Sequence, residues 1–187
     1  PVVDWVLSQP DVDPTRVALI GRSFGGFLAP RGASAEPRIG ALVCDPAQYD
    51  FVSRIVPRMI SEADWNKVLA ADPAMDEQLQ GLLHGDHNQE YYGARMVTMG
   101  AATVGDFLRM QVDYTLEGHV AAIACPVLLT EGEGDFAAQT QTLADQLPVP
   151  PEIVRFTEAE GAGGHCEGLG ATLWEDSVFD WLDEALP

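Results

Sequence analysis

Basic residues are scarce in this sequence. It has 10 Lys and Arg against 29 Asp and Glu, which gives a formal net charge of -19. Such a chain repels the phosphate backbone of nucleic acids and the surface of anionic membranes, so neither is an expected partner. The acidity has two interpretations, a charged surface that keeps the protein in solution and an adaptation to high salt, and we favour the first.

Cysteine is also sparse, and long apolar runs are absent. The three cysteines, Cys44, Cys125 and Cys166, are widely spaced and form no CxxC pair, so neither a redox motif nor a cysteine metal site is expected. No apolar run reaches the length of a membrane span, and the N-terminus lacks the layout of a signal peptide. We therefore expect a soluble protein of the reducing cytoplasm.

The order of apolar and polar segments indicates the fold class. The chain has 187 residues, 47% of them hydrophobic, which is enough for one domain with a sizeable core. Short apolar runs bounded by turn residues predict buried strands at 16–20, 39–44, 126–130 and 152–156. Helical patterns alternate with these strands, which predicts the α/β class, with a mostly parallel sheet flanked by helices.

One segment interrupts this alternation. Residues 49–118 have helical periodicity and contain no convincing strand. They predict a helical insertion, which divides the α/β core into two parts, residues 1–48 and residues 119–187.

A glycine-rich turn follows the first predicted strand. Gly21-x-Ser23-x-Gly25 between a strand and a helix is typical of a nucleophile elbow, a strained turn that exposes a serine hydroxyl, and its glycines avoid side-chain clashes. The backbone amide of Phe24, at the start of the following helix, would stabilise an oxyanion. The alternative is a glycine-rich turn with an incidental capping serine, but the strand-turn-helix context favours a nucleophile.

A serine nucleophile needs a base, and the base needs an acid that orients it. His165 follows the fourth predicted strand and Asp135 the third, so both would lie at the carboxyl edge of the sheet beside Ser23. The order Ser, Asp, His is the order expected after a nucleophile elbow. Asp45, which follows the second strand, is a rival for the acid. We prefer Asp135 because it lies in a glycine-rich loop at a strand end.

The remaining histidines are weaker candidates for the base. His84, His87 and His119 fall within or at the end of the predicted insertion, away from the strand ends. His84 and His87 could bind a metal ion, but no third ligand is placed by spacing, so we expect no metal site. We interpret Cys166, next to the predicted base, as a small packing residue, because no basic group is placed to activate its thiol.

Three segments resemble those of α/β-hydrolases related to the prolyl-oligopeptidase-like peptidases, namely DVDPTRVALIGRSFGG, CPVLLTEGEGD and FTEAEGAGGHCEGLGATLWEDSVFDWLDEAL. They are most similar to the subgroup that contains 2,6-dihydroxypseudooxynicotine hydrolase, the fungal pigment-shortening hydrolases and acyl-aminoacyl-peptidase-like proteins. The resemblance implies the α/β-hydrolase fold, triad roles for Ser23, Asp135 and His165, a helical cap over the active site at 49–118, and no cofactor. Members of this group cleave esters, amides or a carbon–carbon bond next to a carbonyl.

The resemblance also implies that several strands and a helix would precede Pro1, among them the loop that supplies the second oxyanion amide. Because this sequence lacks them, we expect it to be the C-terminal portion of the fold. Strand 16–20 would then form an open edge of the sheet, through which two copies of the chain could pair.

The predicted function is that of a capped serine hydrolase, which cleaves a small carbonyl substrate through an acyl-enzyme. Apolar residues of the insertion would either line its pocket or form the core of the cap, and they are Tyr91, Tyr92, Met96, Met99 and Phe107. Two alternatives stay open. One is a serine peptidase of the acyl-aminoacyl or dipeptidyl type, and the other is a non-catalytic fragment that acts as an interaction module.

Overall fold

The computed structural model describes residues 1–53, 60–168 and 170–186, without the side chain of His87. In these ranges the strands are β1 Ala18–Arg22, β2 Ala41–Asp45, β3 Val127–Gly132 and β4 Glu152–Phe156. The described α-helices are α1 Val2–Leu7, α2 Gly25–Ala33, α3 Glu62–Leu69, α4 Pro73–Gln80, α5 Asp86–Met99, α6 Val104–Met110, α7 Thr140–Ala144 and α8 Ala171–Ala185. No helix in these ranges is long and apolar enough to cross a membrane.

The four strands form one parallel sheet in the order β1-β2-β3-β4. This confirms the predicted α/β class. β4 has the predicted bounds, whereas β1, β2 and β3 begin and end one or two residues later than predicted. The strands end later than predicted because polar residues at their carboxyl ends still pair with the neighbouring strand, as Arg22 does with Asp45. An apolar run in the sequence does not include such residues.

The centre of the sheet is buried. Every residue of β2 is buried, because a central strand of a parallel sheet is covered on both faces. Helix α8 packs against the sheet through Trp174 and Val178, which join one core cluster with Val43 and Leu128. β1 is an edge strand of the described sheet, and Ile20 in it is 37% exposed.

The chain divides into two compact units, one formed by Pro1–Asp50 with Leu116–Pro187 and the other by Phe51–Thr115. The sheet lies in the first unit. The described part of the second unit contains α3 to α6, three of which begin at a side-chain N-cap, namely Ser61, Asp72 and Thr103. Its apolar core is formed by Trp65, Val68, Met75, Leu79, Tyr92, Met96, Val104, Phe107 and Leu108.

The first unit fixes the two points where the chain leaves it and returns. The side-chain oxygen of Gln139 accepts hydrogen bonds from the amides of Tyr49 and Asp50, both at 2.9 Å. At the return point, the amide of Leu116 donates to the carbonyl of Tyr49 at 2.9 Å. Both ends of the segment 51–115 are thus fixed at Tyr49, whose amide binds Gln139 and whose carbonyl binds Leu116.

Candidate active site

Ser23 occupies the turn between β1 and α2 in a backbone conformation that side chains rarely adopt. Its φ is 55°, in the left-handed region. Neighbouring segments hold it there, because its amide donates to the carbonyl of Asp45 at 2.6 Å and its carbonyl accepts from the side chain of Gln48 at 2.6 Å. Ser23 itself is exposed. The strained turn thus presents the hydroxyl outward.

Close packing around the turn requires glycine at two positions. A Cβ at Gly21 would lie 2.0 Å from the carbonyl oxygen of Gly25, and one at Gly26 would lie 1.9 Å from that of Pro46. A Cβ at Gly25 would meet no heavy atom within 4 Å. The expectation that both glycines of the Gly-x-Ser-x-Gly pattern avoid clashes is therefore wrong for Gly25. The second steric requirement falls on Gly26, where α2 passes the end of β2.

The structure brings the three predicted triad residues into one hydrogen-bonded chain. Ser23 Oγ lies 2.8 Å from His165 Nε2, and His165 Nδ1 lies 3.0 and 3.1 Å from the two carboxyl oxygens of Asp135. Asp135 follows β3 and His165 follows β4, so all three residues come from loops at the carboxyl ends of strands. Three points far apart in sequence thus meet at one edge of the sheet.

Burial and hydrogen bonding orient the imidazole. The side chain of Asp135 is fully buried, and its oxygens also accept from the amides of Ala137 at 2.8 Å and Cys166 at 3.3 Å. With the carboxylate on the Nδ1 side, the neutral imidazole carries its proton on Nδ1 and leaves Nε2 as the acceptor facing Ser23. The ring of Phe136 lies beside the imidazole, with ring centroids 5.2 Å apart. His165 can therefore take a proton from the serine hydroxyl.

Phe24, the predicted oxyanion donor, directly follows Ser23. It is the N-cap residue of α2, at the end of the helix where the helix dipole favours negative charge. Its ring stacks on Phe27, with centroids 5.8 Å apart, which anchors the first turn of the helix. The amide of Phe24 is thus held next to the hydroxyl that would attack.

Asp45, the rival acid, is bound elsewhere. Its side chain is fully buried, with one oxygen 2.8 Å from Arg22 Nε and the other 3.1 Å from the hydroxyl of Thr130. His165 Nδ1 instead donates to the carboxylate of Asp135. The structure thus places Asp135, and not Asp45, against the imidazole.

Sequence reasoning missed a polar cluster beside the triad. Arg22 donates to the carbonyl of Cys166 at 2.8 Å, and its guanidinium lies 4.5 Å from the ring of Trp174. The indole N–H of Trp174 donates to Thr130 at 3.1 Å. Glu167, two residues after His165, is fully buried and lies 3.6 Å from Arg22. Arg22 could have been noticed as a charge within the elbow, but no pattern distinguishes a buried Glu167 from a solvated one.

The other candidates do not join this site. His84 is exposed, and His119 begins a short turn at Val120–Ala122, whereas the side chain of His87 lies outside the described residues. Among the residues that the structure describes, no group of three or more His, Cys, Asp and Glu side chains could hold a metal ion. Burial raises the pKa of the Cys166 thiol to about 11, so it stays protonated and unreactive at neutral pH.

The residues proposed from sequence as pocket or cap core divide within the helical unit. Tyr92, Met96 and Phe107 belong to its buried core, and Met99 packs against that core. Tyr91 is 43% exposed and lies under the guanidinium of Arg95. Core packing therefore accounts for four of the five.

Comparison with known proteins gives the following similarities. Residues 1–170 match the alpha/beta hydrolase family. The chain is 26% identical over 201 residues to hydrolase LUC6 of a Fusarium species, covering 98% of this chain and 47% of that protein. It is 26% identical over 203 residues to 20-hydroxy-prefusarin hydrolase FUS2 of Gibberella moniliformis, covering 97% and 46%. The solved structure of 2,6-dihydroxy-pseudo-oxynicotine hydrolase matches with a TM-score of 0.59 and 21% identity, covering 99% of this chain and 44% of that one. The chain spans about half the length of the curated relatives it matches.

Proposed function

This chain belongs to the alpha/beta hydrolase family, and on that premise we propose that it is an enzyme, a serine hydrolase. In this proposal Ser23 is the nucleophile, His165 the general base and Asp135 the acid that orients the base. The observation that carries it is the continuous hydrogen-bonded chain from Ser23 Oγ through the imidazole to Asp135. Such an alignment of side chains from three separate loops is what a weak hydroxyl nucleophile needs.

The reaction proceeds in two halves. As Ser23 Oγ attacks the substrate carbonyl carbon, its proton moves to His165 Nε2, and the carbonyl oxygen takes the negative charge. The amide of Phe24 stabilises that oxyanion. When the intermediate collapses, the bond to the leaving group breaks, the imidazolium gives its proton to the leaving group, and an acyl-enzyme remains. Water, deprotonated by His165, then attacks the acyl carbon and releases the acid and the free Ser23 hydroxyl.

Asp135 stabilises the charged stage of this cycle. Its fully buried carboxylate lies 3.0 Å from Nδ1, so the negative charge of Asp135 stabilises the positive charge that develops on the imidazolium. Because the same carboxylate also accepts hydrogen bonds from two backbone amides, it is fixed in place before the reaction. The imidazole therefore does not need to reorient between the two halves.

The proposed substrate is a small organic molecule with an ester, an amide or a carbon–carbon bond next to a carbonyl. One relative is a 20-hydroxy-prefusarin hydrolase, and one fold neighbour is a 2,6-dihydroxy-pseudo-oxynicotine hydrolase. Both named substrates are small molecules, which supports this class over peptides. The proposed chemistry needs no metal or organic cofactor, because side chains, amides and water supply every step.

We also propose that the protein works in the reducing cytoplasm. Cys44, Cys125 and Cys166 are all free thiols. Disulfides are typical of oxidising compartments, so three unpaired cysteines favour a reducing one.

A fluorophosphonate probe tests the nucleophile. The wild-type protein and Ser8→Ala, which removes an exposed hydroxyl that is hydrogen-bonded to Trp5 and Gln9, should be labelled at the same rate. Ser23→Ala should not be labelled, and its circular dichroism spectrum should be unchanged, because only one exposed hydroxyl is lost. Labelling of Ser23→Ala at the wild-type rate would show that another residue is the nucleophile.

A substrate panel tests the class of bond. We expect p-nitrophenyl esters of short acids to be hydrolysed faster than aminoacyl anilides. Faster cleavage of the anilides would identify a peptidase instead. If the protein hydrolyses neither substrate and is not labelled, the alternative of a non-catalytic fragment that acts as an interaction module is favoured.

A further inference from the structure

Three ionisable side chains lie together beside the triad, next to the loop that carries His165. Arg22 ends β1 directly before Ser23, Asp45 ends β2, and Glu167 follows His165 by two residues. Both carboxyl groups are fully buried and both face the guanidinium, Asp45 at 2.8 Å and Glu167 at 3.6 Å. The triad mechanism uses none of these three side chains.

The charges in this cluster do not balance if both carboxyl groups are ionised. One guanidinium compensates one carboxylate, and a second buried carboxylate would lose its hydration without a counter-charge. Asp45 accepts hydrogen bonds from Arg22 and Thr130. Neither oxygen of Glu167 accepts a hydrogen bond from the described residues. Glu167 is therefore the group that keeps a proton, and as an acid it can donate that proton's hydrogen bond to Asp45.

The titration behaviour of Glu167 agrees with this assignment. Burial first, then the negative charge of Asp45, raise the pKa of Glu167 to about 9, against the opposing effect of Arg22. The negative charge of Asp135 acts in the same direction as Asp45. From α8, the uncharged Trp174 covers Arg22, and the thiol of Cys166, with a pKa of about 11, stays neutral over the same range.

The backbone next to the catalytic imidazole needs support. Cys166 and Glu167 have φ values of 51° and 58°, two consecutive non-glycine residues in the left-handed region. The surrounding cluster holds them, since Arg22 donates to the carbonyl of Cys166 at 2.8 Å. The amide of Cys166 donates to Asp135 at 3.3 Å, and its thiol donates to the carbonyl of Asp45 at 3.7 Å. The backbone conformation after His165 is therefore held by contacts from Arg22, Asp135 and Asp45, and Glu167 is buried beside the first of these.

We infer that Glu167 is a positioning residue, whose neutral carboxyl group, buried beside Arg22 and Asp45, fixes the strained loop that aims His165 at Ser23. This inference rests on the proposed function of the triad. When Glu167 loses its proton, two buried carboxylates share one guanidinium, and their repulsion is relieved by movement of the loop. The hydroxyl of Ser23 then loses its aligned base.

The test is the pH dependence of kcat/KM on p-nitrophenyl butyrate between pH 6 and 10.5, corrected for uncatalysed hydrolysis. The wild type should lose activity above about pH 9, approaching tenfold per pH unit. Glu167→Gln keeps a neutral side chain of the same size whose amide can donate to Asp45. It should retain at least about a third of the activity at pH 7.5 and lack the alkaline loss. Glu175→Gln, on the exposed face of α8, should follow the wild-type profile.

A truncation measures the positioning effect itself. Glu167→Ala should lower kcat about 10- to 100-fold at pH 7.5 with a smaller change in KM, because a displaced base slows the chemical step more than binding. If Glu167→Ala does not fold, the comparison of the wild type with Glu167→Gln still decides the question. A Glu167→Gln profile with the same alkaline loss as the wild type would overturn the inference.

Ser23→Ala in the same assay separates the two proposals. If Ser23→Ala retains wild-type activity, the proposed function itself is wrong. If Ser23→Ala is inactive and Glu167→Gln keeps the wild-type alkaline loss, the triad stands and only the role of Glu167 is wrong.

Discussion

Replacing Glu167 by glutamine should change how the stability of the protein depends on pH. The ordinary pKa of this carboxyl group is 4.5, and in the folded protein it is raised to about 9. The unfolded chain therefore releases this proton near pH 4.5, whereas the folded protein keeps it until about pH 9. Folding takes up a proton between these two values, so a rising pH lowers the free energy of unfolding throughout this window.

The size of the effect follows from the same two pKa values. A full proton difference between the folded and unfolded states corresponds to about 1.4 kcal/mol per pH unit. Between pH 5.5 and 8.5, Glu167 should therefore lower the free energy of unfolding of the wild type by about 4 kcal/mol. Glutamine has no proton to lose, so Glu167→Gln should be free of this contribution.

Urea-induced unfolding at pH 5.5, 7.0 and 8.5, followed by tryptophan fluorescence, measures the difference. The free energy of unfolding of Glu167→Gln relative to the wild type should increase by about 4 kcal/mol across this range. Glu175→Gln, the exposed control, should stay parallel to the wild type. If the curves of Glu167→Gln and the wild type also run parallel, Glu167 holds no extra proton in the folded protein.

Two further predictions follow from the geometry of the site. Asp135→Asn should lower kcat at least about 100-fold, because the imidazole loses the carboxylate that fixes its tautomer and stabilises its charged form. Steady-state kinetics should show this loss for Asp135→Asn and not for the exposed control Asp176→Asn, and equal rates for both variants would show that Asp135 has no part in the mechanism. Gly26→Ala should lower the free energy of unfolding by about 1–3 kcal/mol, because its Cβ would lie 1.9 Å from a carbonyl oxygen. Gly25→Ala, at an open helical position, should be neutral or stabilising by up to about 1 kcal/mol, and chemical denaturation of both variants would contradict this packing if Gly25→Ala were the more destabilised.

The sheet and the position of the triad residues were readable from sequence because both depend on short-range patterns. Apolar runs of the right length mark the strands, and parallel strands bring their carboxyl ends to one edge. Ser23, Asp135 and His165 each lie in the loop that follows such a run, so their meeting required no knowledge of side-chain packing. The choice of Asp135 over Asp45 was a weaker prediction, since both follow strands. Only the distances to His165 and Arg22 distinguish them.

The features that were not predicted depend on burial and on contacts between distant segments. Gly26 is required by the approach of α2 to Pro46, a contact that the Gly-x-Ser-x-Gly pattern does not contain. The protonated state of Glu167 depends on Asp45 and Arg22, which are far away in the chain. A sequence window reports the hydropathy of a residue but not which charges surround it in the folded protein.

The hydrogen bonds at Tyr49, Asp50 and Leu116 make the helical segment an exchangeable module. Gln139 and the carbonyl of Tyr49 fix the chain on both sides of the segment 51–115. The entropy of closing a loop grows slowly with its length, by about 0.6 kcal/mol for each doubling. A longer or shorter segment between Asp50 and Leu116 would therefore change the entropy of loop closure only slightly, and the hydrogen bonds that fix the two chain ends belong to the first unit itself.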